Sequence, residues 1–258
     1  MIHLTKSLRA RKQNWVNNNF SKTKYSKRLK QFKNNHEGET CFIIGNGPSL
    51  KAEDLERLHQ NNIPTFAFNR IYLIFNNTSW RPTYYISQDE KILKNCQSEV
   101  NAMNLEYKFI PLYHKYFYDI KIANAFYFNM KTTEDGEPFF SNDISKAVGG
   151  SGTVTCTALQ FAAYMGFKKI YLIGVDHNFS TYKNDKGEII TDSTVKDYFT
   201  EEYNKDKAEL YIPNVDASTR SYIIMKNYCD KHNIEVYNAT RGGKLEVFPR
   251  VDFDSLGF

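Results

Sequence analysis

No apolar run in the sequence approaches the roughly 20 residues that cross a bilayer, and the N-terminus lacks the apolar core of a signal peptide. Both absences lead to the expectation of a cytoplasmic protein. Cysteine is scarce. The four residues Cys41, Cys96, Cys156 and Cys229 are scattered with no CxxC spacing, so reduced thiols are expected, with neither a disulfide framework nor a metal site. The first 36 residues contain no acid. They hold ten of the 34 Lys and Arg, leaving 24 basic against 29 acidic residues, so the net charge of +5 conceals an acidic body. That acidic body argues against a nucleic-acid partner. Interleaved Leu8, Trp15, Phe20, Leu29 and Phe32 would let residues 1–36 lie on an anionic membrane surface, at the inner face of the cytoplasmic membrane. A solvated, partly helical extension is the alternative. Residues 1–38 are thus expected to act apart from a single domain over 39–258.

Other residues are plentiful. Hydrophobic content of 41%, with 18 Tyr and 19 Phe, supplies a core and the material for aromatic-lined clefts. The organising stretch is 41–50, where Cys-Phe-Ile-Ile runs into Gly45-Asn46-Gly47-Pro48-Ser49 and an acidic, Leu-bearing helix pattern follows over 51–58. A strand, a sharp turn and a helix are implied, and the loop after such a strand is where open α/β sheets hold phosphate-bearing ligands. Gly45 and Gly47 permit close backbone approach, and Asn46 offers a donor and an acceptor. A plain βα turn with Ser49 as helix cap explains the same residues. The turn is not a P-loop, having no closing Lys-Ser/Thr, and it lacks the third glycine of the dinucleotide fingerprint.

Further strands are expected at 64–69, 83–87, 107–112 and 125–128, with a short helix from Arg70 to Phe75, a longer one from Glu90 to about Met103 and a polar loop over 130–148. A second glycine-rich turn, Gly149 to Thr153, feeds a helix over 154–167 and then the apolar strand 168–176. An anion is expected at Gly150, Ser151, Gly152 and Thr153, where helix N–H groups and no acid would meet it. Glu53 and Asp54 open the earlier helix, which points to sugar or ribose contacts near Asn46 instead. Residues 178–215 are polar and contain Tyr182, Tyr198, Tyr203 and Tyr211, and a segment of that length reads as a lid. A helix over 218–232 and a strand over 235–237 complete the chain. The reading is an α/β, Rossmann-like, mostly parallel sheet flanked by helices, with a lid and a basic N-terminal extension.

Asn46, Asn69, Asp89, Asp176 and Asn238 each stand where an apolar strand stops, so a parallel sheet gathers them on one edge. Each is also explained as a cap or Asx-turn. Asp176 and His177 are the best catalytic pair by residue type, although neighbours on a strand point to opposite faces. Asp89 and Asp176 could share a divalent cation with a nucleotide phosphate. Arg220, Arg241 and Arg250 could grip phosphate or sit at the surface.

Ile-Ile-Gly-Asn-Gly-Pro-Ser-Leu at 43–50, Phe68-Asn69, Gly-Ser-Gly-Thr at 150–153 and Ile-Tyr-Leu-Ile-Gly-Val-Asp at 170–176 resemble two related groups. One is the bacterial sialyltransferase family that uses CMP-activated sialic acid. The other is the hydroxymethylpterin diphosphokinase MptE-like family, whose members often occur near surface-polysaccharide genes. The similarity covers about residues 40–180, and the tail from Tyr237 to Arg250 is closer to the MptE-like group. Resemblance to the sialyltransferases implies donor contacts for Asn46, Asn69 and Ser151, and a general base from a lid histidine. Residues 178–215 hold no histidine, which leaves His177, Asp176 or Asp89 to take that part, with Asn178 beside the donor.

The function these readings imply is a glycosyltransferase that needs no cofactor, taking a nucleotide-activated, CMP-linked sugar to a glycan acceptor in bacterial surface polysaccharide or lipooligosaccharide synthesis. The alternative is a pyrophosphokinase moving diphosphate from ATP with Mg²⁺. A third reading is a non-catalytic glycan-assembly partner that keeps the fold without the chemistry.

Overall fold

Short strands that are apolar on both faces, such as Phe42-Ile43-Ile44, are satisfied in a parallel sheet whose two sides are covered. The computed structural model describes residues 6–205 and 210–258. The N-terminal helices α1 (Lys6–Asn19) and α2 (Lys24–Leu29) precede β1 (Thr40–Ile44), α3 (Ala52–Gln60), β2 (Thr65–Phe68) and β3 (Tyr84–Ile86). Then come α4 (Glu90–Asn95), α5 (Gln97–Ala102), β4 (Tyr107–Pro111), α6 (Leu112–Phe117), β5 (Phe126–Phe128), β6 (Met130–Lys131) and β7 (Val148–Gly149). The chain continues through α7 (Val154–Met165), β8 (Lys169–Ile173), β9 (Thr181–Lys183), β10 (Ile189–Thr191), α8 (Val215–Lys231) and β11 (Glu235–Asn238).

Seven strands form one sheet in the order β11-β8-β1-β2-β3-β4-β5, and every neighbouring pair is parallel. This is the Rossmann-like α/β sheet that the sequence implies. The chain walks outward from β1 to β5, then crosses back to lay β8 on the other side of β1. Ile44 therefore stands between Ala67 and Ile173. The connections leave β1 and β8 in opposite directions, and a crevice opens at the carboxyl ends where they part.

Three local expectations change. The helix expected over 90–103 breaks at Cys96 (φ −130°, ψ 24°) into α4 and α5. A helix not anticipated, α6, follows directly on β4. The last helix starts at Val215, ahead of Ser218, because the Asn214 side chain caps it by accepting from the Ala217 N–H at 2.8 Å.

The largest correction concerns the N-terminal arm, which does not stand apart from the fold. Phe20, Leu29 and Phe32 are buried in the core, and the Phe32 ring meets Tyr84, Tyr107, Phe109 and Phe126 edge-on at 5.0–6.4 Å. Ser26 Oγ donates to the Ser145 carbonyl at 2.6 Å. The Arg28 guanidinium lies 4.1 Å over the Phe126 ring. Residues 34–38 wrap the end of α7, with Asn34 and His36 N–H groups donating to the Tyr164 and Met165 carbonyls. A net-charge count misses this, because long basic side chains cover apolar surface with their stems while their heads stay in water. Only Leu8 and Trp15 of the five apolar residues remain exposed. Among the described residues, no helix is long and apolar enough to cross a membrane, and no disulfide joins the four buried thiols.

Candidate active site

At the crevice the β1 and β8 loops touch through their backbones. The Gly45 N–H donates to the Ile173 carbonyl and the Gly47 N–H to the Gly174 carbonyl, both at 2.8 Å. A Cβ on Gly45 would lie 2.2 Å from the Gly174 oxygen, and one on Gly47 would lie 1.9 Å from Asp176 Oδ2. Gly174 itself adopts φ +65°. These glycines are therefore required by the packing of the two loops and of the Asp176 carboxylate, whatever else they contact.

Asp176 is held firmly. Its Oδ2 accepts from Ser49 Oγ at 2.7 Å, and its carbonyl accepts from the Lys244 N–H at 2.7 Å. Burial raises the Asp176 pKa, partly offset by the Ser49 hydrogen bonds. Ser49 thus spends its hydroxyl on Asp176 and does not line the cleft. It does not cap α3 either, where the N-cap position is Lys51. His177 lies past the end of β8 in a left-handed conformation (φ +51°), which turns it into the cleft that Asp176 also faces. Its Nε2 is 2.8 Å from Thr219 Oγ1, while that hydroxyl donates to the Val215 carbonyl at 2.9 Å. The hydroxyl proton being committed, Nε2 is the protonated nitrogen and Nδ1 the basic one. Burial lowers the His177 pKa, so the ring is neutral near pH 7.

The cleft measures about 400 Å³ and is lined from the carboxyl ends of β1, β2, β3 and β8. Asn46 Nδ2 donates to the Phe68 carbonyl at 3.2 Å, and its Oδ1 is buried with no hydrogen-bond partner among the described residues. Asn69 is left-handed (φ +49°), with Oδ1 accepting from Ser87 Oγ at 2.9 Å. Asp89 caps α4 by accepting from the Lys91 and Ile92 N–H groups, and burial raises its pKa. Opposite them Gly152, Thr153, Val154 and Thr155 present the N-terminus of α7 to the cleft, with no acid in its first turn. Four carboxylates line the cavity, those of Asp89, Glu90, Asp176 and Asp197; no Lys or Arg among the described residues does.

The described parts of the segment 178–215, of which residues 206–209 lie outside the described residues, border this cavity. The Phe199 N–H donates to the Asn46 carbonyl at 3.0 Å, Arg70 donates to the Tyr203 carbonyl at 2.8 Å, and Tyr211 donates to Glu90. Tyr198 and Tyr203 stack at 3.7 Å and line the cleft with Tyr211. The hairpin of β9 and β10 carries Tyr182, which does not line it.

Most residues chosen from the sequence meet here: Gly45, Asn46, Gly47, Asn69, Asp89, Gly152, Thr153, Asp176, His177 and Asn178. Gly150 and Ser151 do not. Gly150 is buried against Lys131, and Ser151 Oγ donates to the Thr153 carbonyl at 2.8 Å. Asn238 is also structural, bonded to the Leu245 carbonyl and the Thr240 N–H. The three arginines are engaged elsewhere: Arg220 with Asp185, Arg241 with Asp54 and Asp254, Arg250 with Glu246. Sequence reasoning missed Gln88, Asp197 and Tyr222, which line the cleft. Gln88 follows a strand directly, so the strand-end rule that selected Asp89 reaches it as well.

The family model described as 6-hydroxymethylpterin diphosphokinase MptE-like matches residues 13–182, about two-thirds of the chain, from α1 through β8 to the first residues of β9. The chain belongs to the MptE-like family. The match takes in α2, whose Ser26 and Leu29 are buried, and residues 34–38, which bond to the end of α7. Comparison with curated proteins gives no match. Among solved structures, this MptE-like chain is similar to the MAf glycosyltransferase from Magnetospirillum magneticum AMB-1, with a TM-score of 0.52 at 16% identity. The likeness covers 94% of this chain and 39% of that one, so it shows a shared fold over a minor part of the larger protein. No three His, Cys, Asp or Glu side chains among the described residues come together as a metal site would require.

Proposed function

We propose that this MptE-like chain is a glycosyltransferase whose donor is a CMP-linked sugar bound in the cleft between β1 and β8. The observation that carries the proposal is the electrostatic character of the cavity. A helix N-terminus faces four carboxylates, and among the described residues no Lys or Arg lines the space between. Backbone N–H groups with a partial positive charge suit a single phosphate. A triphosphate would bring several negative charges to a wall that already carries its own. The buried Asn46 Oδ1 lacks a donor, and a nucleoside hydroxyl or amine would satisfy it.

In this reading the glycosidic C–O bond to the phosphate breaks, and the departing CMP oxygen is stabilised by the α7 terminus with Tyr198 from the lid. Neutral His177 accepts the proton of the attacking hydroxyl at Nδ1, its ring held by Thr219. Similarity of fold to a glycosyltransferase supports the class of reaction. Synthesis of surface polysaccharide or lipooligosaccharide is the setting that a CMP-sugar donor and a glycan acceptor would fit.

The family description favours a second reading, diphosphate transfer from ATP with Mg²⁺. Asp89 and Asp176 would be the ligands for the ion, but each already has an oxygen committed, to the α4 cap and to Ser49, and among the described residues no third ligand joins them.

Thermal unfolding with CMP, CDP, UDP, GDP and ATP, each with and without Mg²⁺, separates the two. CMP at a hundredfold excess over its Kd should stabilise the chain by about 2.7 kcal/mol without metal, and a Kd weakened about tenfold in Asn46→Ala should remove about half of that gain. Stabilisation by ATP only in the presence of Mg²⁺ would replace this proposal with the kinase. No response to any nucleotide would leave a non-catalytic role.

A further inference from the structure

A second cavity of about 410 Å³ lies against the first, between α8 and the segment 244–247. His177 belongs to both, and so stands in the wall between them. The two cavities differ in charge. The first is lined by carboxylates without a cation, whereas Lys226 and Lys244 flank the second, with Glu246 the acid among its lining residues. Lys226 is paired with Asp230, and Lys244 is exposed. The apolar surface between the lysines includes Ile223, which is 46% exposed on α8. Thr219, whose hydroxyl holds the His177 ring, lines this second cavity too.

We infer that this groove is the acceptor subsite, and that it takes a sugar-sized, hydroxyl-bearing molecule carrying an anionic group. The inference rests on the donor assignment above for its role, but not for its existence as a binding site. A two-substrate transfer requires two cavities that meet at the base, and His177 is the residue at which these meet. Its Nδ1 takes the proton from the acceptor hydroxyl, the acceptor oxygen bonds to the anomeric carbon, and the electron pair of the broken bond leaves with the CMP phosphate. Lys244 supplies the positive charge that the donor cleft lacks, which sorts an acidic acceptor into the groove and away from the carboxylate-lined side.

Protein labelled at the isoleucine δ1 methyls tests this without knowledge of the natural acceptor. Ile223 reports on the groove, while Ile92 and Ile212 line the donor cleft. Methyl glucuronide and glucose 6-phosphate should shift the Ile223 signal, with the stronger of the two telling carboxylate from phosphate recognition, and neutral methyl glucoside should not. Lys244→Glu should weaken that binding about tenfold, one surface charge contact being lost and a repulsion gained. Equal shifts with the neutral sugar, no shift with either anion, or shifts unchanged in Lys244→Glu would overturn the inference. CMP titrated into the same sample should move Ile92 and Ile212. If it moves neither while the anionic sugars still move Ile223, the donor assignment fails and the groove stands.

Discussion

Two regions border the cleft, and they are held by different forces. On one side the β1 and β8 loops are joined by paired backbone hydrogen bonds and by glycines at distances no side chain tolerates. On the other side the segment 178–215 rests on Tyr211 to Glu90, Arg70 to the Tyr203 carbonyl and the N–H of Phe199 to Asn46. The first cannot move without disrupting the sheet. The second is held by separate contacts: the Arg70 bond is buried, the Phe199 bond joins two backbones, and the Tyr211 bond is exposed and opens at small cost. A donor site needs both: fixed groups to aim the phosphate and a cover that admits the substrate.

The largest expected effect follows from striking the fixed side. Gly45→Ala would drive a Cβ to 2.2 Å from a backbone oxygen, and a loss of about 3 kcal/mol in denaturant unfolding is expected, at the upper end for overpacking. Asn46→Ala, next to it, should cost about tenfold or more in CMP affinity by calorimetry while lowering stability by only about 1 kcal/mol, because what is lost within the protein is the Nδ2 bond to the Phe68 carbonyl and the oxygen removed has no partner there. A loss of stability as large as that of Gly45→Ala would mean that Asn46 is structural.

Asp176→Asn sharpens the same side through pH. Burial raises the Asp176 pKa in the folded state, so ionisation destabilises the fold. The penalty is absent below the ordinary carboxylate range and complete above the raised value. The Asn variant should therefore unfold at a higher temperature than the native chain at pH 8, with the difference shrinking as the pH falls towards 4. A constant difference across that range would show that ionisation is not the cause. The smallest effect belongs to the cover. Tyr211→Phe removes an exposed hydrogen bond to Glu90, and a stability change below about 0.5 kcal/mol is expected, accompanied by faster amide exchange confined to the segment that carries it. Unchanged exchange would show that the cover is held by its other contacts.

Strands and turns were legible in the sequence because their signals are local. Phe42-Ile43-Ile44 before Gly45 and Ile170 to Ile173 before Gly174 declare buried parallel strands that stop at glycine. Their polar followers, Asn46, Asn69, Asp89 and Asp176, were gathered by the strand-end rule alone. The arm was misread for a physical reason: charge is counted along the chain, whereas burial depends on which face of α2 meets β5, and Phe32 finds its four aromatic neighbours between 52 and 94 residues away. Ser49 likewise looked like a cap because its partner is Asp176, 127 residues on.

The sequence by itself determined the class of fold and the edge of the sheet where the polar residues collect, since both follow from periodicity and from where each strand ends. Tertiary structure decided what those residues do. It set Gly47 against Asp176, turned His177 out of the strand's alternation into the cleft, withdrew Gly150 and Ser151 from it, and brought Tyr211 from the far lid to Glu90. The Gly47 and Tyr211 outcomes depend on contacts between segments more than a hundred residues apart and that of His177 on a single left-handed residue, and neither leaves a mark on the local pattern.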